Sequence, residues 1–435
     1  MSDPGRSAGR LLTFRSRRVS WRKLSGDLVG RLRRRGKMKD VSEEARGTDL
    51  PIRKGGLDTD ALGRLDACIQ RYIDNGDHFG ASIVVARGGV VAHRRSFGTS
   101  APGRPAAEDD LFCAMSLTKS FTAALVLRAI DQGRFTLDTR VAEIVPVFAS
   151  GGKQNVTVRQ LLNHTGGAYA SILPAPPSLQ PMELGDLAKT SAAFSAMPAA
   201  YAPGTRCVYS PLAGIGVLGH MLVLTDPAKR SFRDIAREDL FEPLGMVDTR
   251  FGGPKNEPRR VPMSYTPKLS NPGPEALAKY LDALFDEPSE VPAGNAFTTV
   301  DDVFRFAEVL RLRGDNGKFR LMSQALCDYG TQNHTGDMKS AAWDFYTEAH
   351  GLPEFPANFS LLGGYSRGTG HHMTGAGCTA SARAFYAVGG GSTMYMVDPA
   401  RDLTFVFLSA GFIDGLAHLQ RLCRLSDLAL AACVD

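Results

Sequence analysis

The amino-acid sequence predicts an α+β protein, in which an antiparallel sheet flanked by terminal helices carries a largely helical inserted lobe. Two observations indicate this fold class. Strand-like patterns occur near both ends of the main body, and the region between them has mostly helical periodicity. If strands from both ends share one sheet, the middle of the chain forms a second lobe. We expect the sheet lobe to cover about residues 55–115 and 290–435, and the helical lobe about 116–289.

The first elements of the body alternate between helical and strand-like patterns. Apolar residues at helical spacing predict a helix over residues 57–76. Two apolar runs, 81–86 and 90–93, flank a Gly-Gly turn and predict a β-hairpin. The next helix is expected to begin at Ser116 and to end at Gly133, because glycine favours a helix C terminus.

Strand patterns return near the end of the chain. They cover residues 383–388, 393–397 and 403–408, and a polar turn at 398–402 separates the last two. A closing helix is predicted over residues 413–432. These late strands and the early hairpin are the two halves of the predicted sheet.

Charge is concentrated at the N terminus. Residues 1–54 contain sixteen Lys or Arg and six Asp or Glu, so their net charge is +10. The whole chain carries +6, which leaves −4 on residues 55–435. We expect residues 1–54 to form a basic, disordered extension and residues 55–435 to form the catalytic domain. No nucleic-acid partner is expected, because the basic character is confined to the extension.

Cysteine usage and hydropathy indicate the compartment. The seven cysteines are odd in number and widely spaced, without a Cys-x-x-Cys pair, which argues against a disulfide framework or a zinc site. No apolar segment follows the basic residues as a secretory signal requires, and none is long enough to span a membrane. We therefore expect a cytoplasmic protein without a membrane span, a metal or another cofactor. The oligomeric state stays open.

A serine and a lysine three residues apart are the first candidates for chemistry. Ser116 and Lys119 lie where an apolar run passes into a predicted helix, so both side chains lie on the same helix face. An amine beside a hydroxyl group can activate it as a nucleophile. The same spacing occurs at Ser20 and Ser150, in the basic extension and in a Gly-rich turn. Only Ser116 has a helix-opening context.

Five segments of the chain share an order and spacing that are typical of one superfamily: Ser116–Thr122, Gly133–Val141, Val156–Gly167, Phe241–Thr249 and Thr298–Phe306. Together they resemble the serine β-lactamase and penicillin-binding-protein superfamily, in the branch of class C β-lactamases, esterases and acyltransferases. The resemblance extends from about residue 57 to the end of the chain and implies the β-lactamase/transpeptidase-like fold. It also implies that Ser116 is the nucleophile, with Lys119 beside it.

The family's other two motifs are altered. Tyr209 matches the tyrosine of the second motif, but Pro211 replaces the usual asparagine and cannot donate its amide. The third motif aligns with residues 387–389, where the usual basic residue is missing. Its glycines remain, and the resemblance implies that Gly390 or Gly389 contacts the substrate and helps form an oxyanion hole.

Three histidines lie in or near these motifs. His371 and His372 lie upstream of the third motif, and either could supply the missing ring from a loop. His164, in a His-Thr-Gly segment, is expected to form structural hydrogen bonds.

The surviving and the missing residues together predict a serine esterase or acyltransferase. Its substrate would be a small ester, thioester or amide, which forms an acyl intermediate on Ser116 with help from Lys119 and Tyr209. Apolar loops at 172–177 and 355–362 could line the acyl pocket. Two alternatives stay open: a β-lactamase or D-amino-acid peptidase, and a catalytically inactive binding protein on the same fold.

Overall fold

The computed structural model describes residues 53–170, 179–266, 274–341, 344, 347–348, 351–352, 354–369, 375–412 and 415–434. All of them belong to the unit Pro51–Asp435. The basic extension predicted for 1–54 therefore lies outside the described residues, except for its last two. These form strand β1 (Arg53–Lys54), which pairs with β2 (Leu57–Asp58).

A seven-stranded antiparallel sheet forms the sheet lobe, and it joins the two ends of the body as predicted. Strand β3 (Gly80–Arg87), which follows the first helix, pairs along its whole length with the last strand, β12 (Leu403–Ala410). In order across the sheet the strands are β5 (Arg104–Pro105), β4 (Val90–Ala101), β3 (Gly80–Arg87), β12 (Leu403–Ala410), β11 (Thr393–Asp398), β10 (Phe385–Gly389) and β9 (Tyr365–Ser366).

Helices cover both faces of this sheet. The terminal helices α1 (Thr59–Asp74) and α12 (Gly415–Leu430) pack on the face that carries Ile83 and Phe405. Helix α10 (Val300–Arg311) packs on the opposite face, where Val84 points. Burial on both faces explains why the central strands are continuously apolar and lack the alternation of a half-exposed strand.

The helical lobe is built around α2 (Thr118–Asp131), which is buried on almost every side. Phe121 of α2 packs edge-on against Phe241 and Phe306, at ring-centroid distances of 5.6 and 4.8 Å. The other helices are α3 (Val141–Ile144), α4 (Val158–Leu162), α5 (Leu187–Ala196), α6 (Ala213–Leu224), α7 (Phe232–Ala236), α8 (Glu242–Leu244), α9 (Pro274–Leu284) and α11 (Gln324–Gly330), with a π-helical turn at Arg237–Phe241. None of the described helices has the length and hydrophobicity needed to cross a membrane.

A three-stranded sheet between the lobes was not predicted. It consists of β6 (Phe112–Cys113), β8 (Ala296–Thr298) and β7 (Arg250–Phe251), in that order. Strand β7 lies in the region expected to be helical. Strands of two or three residues are too short to show a period-2 pattern, so the sequence signal was absent. This sheet fixes the chain immediately before Ser116.

Candidate active site

Ser116 lies at the junction of the two lobes, in a single 3-10 turn (Met115–Leu117) between β6 and α2. Two hydrogen bonds of Ala114, the residue just before the turn, hold it to two neighbouring strands. Ala114 donates its N–H to Ala296 at 2.8 Å and accepts a hydrogen bond from the Thr393 hydroxyl at 2.7 Å. Met115 has a φ of +50°, a strained region for a residue with a side chain, which persists only where the surroundings impose it.

Lys119 lies one helical turn after Ser116, on the same face of the helix as its spacing predicts. Its Nζ donates hydrogen bonds to Ser116 Oγ at 3.1 Å and to the Ala293 carbonyl at 2.8 Å. The side chain is buried, with 1% of its surface exposed. A buried amine needs such acceptors, because leaving its N–H groups unpaired is costly. Ser116 Oγ therefore has a polar neighbour that two hydrogen bonds hold in place.

Tyr209 completes a cluster of three polar groups. Its Oη donates a hydrogen bond to Ser116 Oγ at 2.7 Å, and the Lys119 Nζ lies 5.1 Å from the centre of its ring. Tyr209 belongs to a segment without regular structure, so other residues must hold it. Phe359 stacks on its ring at a centroid distance of 6.1 Å and an interplanar angle of 9°.

The ring of His164 packs against the ring of Tyr209, and no hydrogen bond joins it to Ser116 among the described residues. Its Nδ1 accepts the backbone N–H of Ser210 at 3.2 Å, and its ring lies 4.8 Å from the Tyr209 ring. Burial, and then the charge of Lys119, lower the pKa of His164 to about 3. The ring is therefore neutral near pH 7, and its contacts are those of a structural residue.

The glycines of the third motif border a cavity of about 220 Å³ together with Ser116 and Tyr209. Gly389 packs so closely that a Cβ atom would collide with the Ala114 carbonyl. At Gly390 a Cβ atom would lie 3.7 Å from Met115 Cε, which is an ordinary van der Waals contact. Within the described part of the chain, none of the backbone hydrogen bonds outside the helices and strands has the N–H of Ser116 or Gly390 as its donor. Both residues line the cavity.

Four of the five predicted site residues line one cavity, namely Ser116, Tyr209, Gly389 and Gly390. The fifth, Lys119, hydrogen-bonds to Ser116 Oγ without lining the cavity itself. Phe359, from the predicted acyl-pocket loop 355–362, lines this cavity. The other predicted loop, 172–177, and the candidate histidines His371 and His372 lie outside the described residues. No group of three or more His, Cys, Asp or Glu suited to a metal occurs among the described residues.

Sequence reasoning missed His418, which also lines the cavity. It lies on α12, and its Nδ1 is 2.7 Å from the Ser392 hydroxyl. The one available signal was a polar residue on the buried face of an amphipathic helix, and that pattern alone does not indicate which neighbours the face will meet.

Residues 65–421 match the family model described as Beta-lactamase. This match covers most of the chain, and the chain therefore belongs to the β-lactamase family. The family and the relatives below indicate a serine hydrolase.

Three relatives illustrate the range of the family. Esterase EstB of Burkholderia gladioli is 29% identical over 314 residues, which cover 65% of this chain and 78% of the relative. A penicillin-binding protein homologue from Caulobacter crescentus has a similar structure, with a TM-score of 0.68, 24% identity and coverage of 86% and 98% of the two chains. The structure of EstCE1, described as a hydrolase with promiscuous acyltransferase activity, gives a TM-score of 0.64, 20% identity and coverage of 85% and 98%.

Proposed function

We propose that this protein is a serine esterase or acyltransferase that forms an acyl intermediate on Ser116, with Lys119 and Tyr209 as its proton-transfer groups. One observation carries the proposal: Lys119 Nζ and Tyr209 Oη both hydrogen-bond to Ser116 Oγ, at 3.1 and 2.7 Å. This is the arrangement of an activated nucleophile within reach of two groups that can take its proton. It favours an enzyme over an inactive binding protein of the same fold.

The first half of the reaction forms the acyl-enzyme. Ser116 Oγ attacks the substrate carbonyl while its proton passes to Tyr209 or Lys119, whichever is in its basic form. The carbonyl oxygen becomes an oxyanion, and the N–H groups of Ser116 and Gly390 are the donors we assign to it. The bond to the leaving group then breaks, and Tyr209 returns the proton to the leaving oxygen. Ser116 now carries the acyl group as an ester.

The second half reverses these steps with a new nucleophile. Water or an acceptor alcohol loses its proton to the Tyr209–Lys119 pair and attacks the Ser116 ester. The second tetrahedral intermediate collapses, the proton returns to Ser116 Oγ, and the acid or the new ester leaves. Hydrolysis and acyl transfer differ only in which nucleophile enters the cavity at this stage.

The lining of the cavity favours a neutral substrate. None of its described lining residues is a Lys, Arg, Asp or Glu. The second motif contributes Pro211 in place of an amide, and the third motif contributes Ala387 and Val388 in place of a basic residue. A substrate carboxylate would therefore lose its water without gaining a charged partner, which is unfavourable. This argues for small neutral esters, thioesters or amides over β-lactams and D-amino-acid peptides.

Labelling with a fluorophosphonate tests the nucleophile. The wild-type protein should acquire the label, and Ser116→Ala should not. Ser150→Ala is the matched control, because Ser150 has the same spacing to a lysine but lies outside the cavity. Equal labelling of the wild type and Ser116→Ala would refute the assignment. Absence of labelling together with absence of ester turnover would favour the inactive binding protein.

The mass of the adduct on Ser116 after incubation with acyl donors identifies the acyl group. Adding alcohols to the same reaction and measuring the new esters separates transfer from hydrolysis. Turnover of nitrocefin well above that of Ser116→Ala would instead indicate a β-lactamase.

The proposed setting is cytoplasmic, with residues 1–54 as a basic extension of the catalytic domain. None of the seven cysteines, which all lie among the described residues, forms a disulfide, and this supports a reducing compartment.

A further inference from the structure

A histidine–serine pair forms part of the cavity wall and has no role in the reaction described above. His418 lies on α12, near its start, and Ser392 lies in the turn that also contains Gly390. The two side chains hydrogen-bond at 2.7 Å between Nδ1 and Oγ. His418 is 7% exposed and Ser392 is fully buried, so the pair is rigidly enclosed.

The second ring nitrogen of His418 is available to a ligand. His418 lines the cavity, and within the described part of the chain its Nε2 has no hydrogen-bond partner. This nitrogen is not sealed from solvent, whereas Nε2 of His164 is. Burial, and then the charge of Arg421, lower the pKa of His418 to about 3. At pH 7 the ring is neutral, so it offers a hydrogen bond and no charge.

We propose that His418 is a specificity-determining residue, whose Nε2 hydrogen-bonds to a second oxygen, a hydroxyl or keto group, on the acyl part of the substrate. The rest of the wall around it is largely apolar, with Phe359 and Val388. A single polar group in an apolar pocket selects ligands that match it, because an unmatched polar group costs free energy when it is buried. This inference rests on the proposed function.

The acyl part, and not the leaving group, is assigned to His418 for a chemical reason. Tyr209 must reach the leaving oxygen to return its proton, so the leaving group lies beside Tyr209. His418 is held by the turn that carries Gly390, whose N–H we assign to the carbonyl oxygen. The cavity of about 220 Å³ holds about seven atoms the size of a water molecule, which suits a short acyl chain.

A set of three esters, in which two carry one oxygen atom more than the third, tests the proposal. We would measure kcat/KM for p-nitrophenyl butyrate and for its α- and β-hydroxy forms, each divided by the rate constant for alkaline hydrolysis of the same ester. In the wild type this normalised value should be about fivefold higher for at least one hydroxy ester, the effect of one added hydrogen bond. In His418→Phe, which keeps an aromatic ring of similar size, the preference should disappear, so that the normalised values of the three esters agree within about twofold.

His220→Phe is the matched control. His220 also hydrogen-bonds through Nδ1 to a serine, Ser191, at 2.9 Å, but this pair lies in the helical lobe away from the cavity. Its loss should leave the ratio of each hydroxy ester to the butyrate ester unchanged. The ratio within one sample does not depend on the fraction of active enzyme, so partial unfolding of a variant does not alter it.

Each remaining outcome overturns the inference. A wild type without preference for a hydroxy ester overturns it even if His418→Phe does not fold. An unchanged preference for the hydroxy esters in His418→Phe also overturns the inference. An equal loss of turnover for all three esters overturns it too, because it would indicate a structural role for His418. If the wild type takes the fluorophosphonate label but hydrolyses none of these esters, only the inference fails. If labelling also fails, the proposed function fails with it.

Discussion

The cavity has two walls of contrasting chemistry. The nucleophile wall consists of Ser116, Lys119 and Tyr209. Lys119 Nζ and Tyr209 Oη each hydrogen-bond to Ser116 Oγ, at 3.1 and 2.7 Å. The substrate wall consists of the end of β10, the glycine turn after it and the start of α12. It offers backbone N–H groups, apolar surface and the neutral ring of His418.

This contrast separates the reaction from the choice of substrate. In the proposed reaction the nucleophile wall supplies every group that acyl transfer to a serine requires: a nucleophile, a base and a proton donor. The substrate wall has no charged side chain among its described lining residues, so it recognises by shape and by single hydrogen bonds. Changes to the first wall should therefore lower kcat for every substrate, and changes to the second should alter the preference among substrates.

The largest effect is expected from Lys119→Met, which keeps the length of the side chain but removes the amine. We expect kcat for ester hydrolysis to fall about a thousandfold, within the range for loss of a general base. Lys189→Met is the control, because Lys189 is an exposed partner of Glu183 in the helical lobe. Activity of Lys119→Met within threefold of the wild type would remove Lys119 from the mechanism.

A smaller but still large effect is expected from Tyr209→Phe. The variant keeps the ring that stacks on Phe359 and loses only the hydroxyl that bonds to Ser116. We expect kcat to fall about a hundredfold, with little change in KM, because the hydroxyl acts on protons and not on binding. Tyr280→Phe, which removes a hydroxyl bonded to the Pro181 carbonyl, is the control. A change confined to KM would contradict the assigned role.

The support behind the nucleophile wall should make the protein sensitive to acid. His164 has a pKa of about 3 in the folded state, below its usual 6.5. The unfolded chain therefore binds more protons between these values, and stability is lost as pH falls below about 6.5. For this residue the loss between pH 7 and pH 5 should be about 2 kcal/mol.

Urea unfolding of the wild type and of His164→Asn at both pH values measures this contribution. The asparagine variant should lose about 2 kcal/mol less stability between the two pH values than the wild type does. The same pH dependence in both proteins would show that His164 is protonated equally in the folded and unfolded chains.

An effect on both stability and kcat is expected at the contact between the two walls. In Gly389→Ala the new methyl group would collide with the Ala114 carbonyl and lie 3.1 Å from Met115 Cβ, next to the nucleophile. We expect stability to fall by about 1–3 kcal/mol and kcat about tenfold. Gly63→Ala, on the surface of α1 with no atom within 4 Å, is the control. A fully active and fully stable Gly389→Ala would show that this contact does not position Ser116.

Most long elements were predictable because each carries its own periodicity. Helix α1 was expected over 57–76 and occurs at Thr59–Asp74, and the strands β3, β11 and β12 lie within about two residues of their predicted positions. The three-stranded sheet and β9 were missed because strands of two or three residues have no periodicity to detect. The active-site glycines were found only through resemblance to a family, since a glycine run by itself indicates no more than a turn.

The sequence by itself determined the order of the elements, the family and the Ser116–Lys119 pair, because helical spacing places residues three apart on one face. Tertiary structure alone decided what meets at the cavity. Tyr209 and His418 come from segments far apart in the chain, and no local pattern records that folding brings both beside Ser116. Local periodicity depends on neighbouring residues, whereas a site between two lobes depends on how distant surfaces pack.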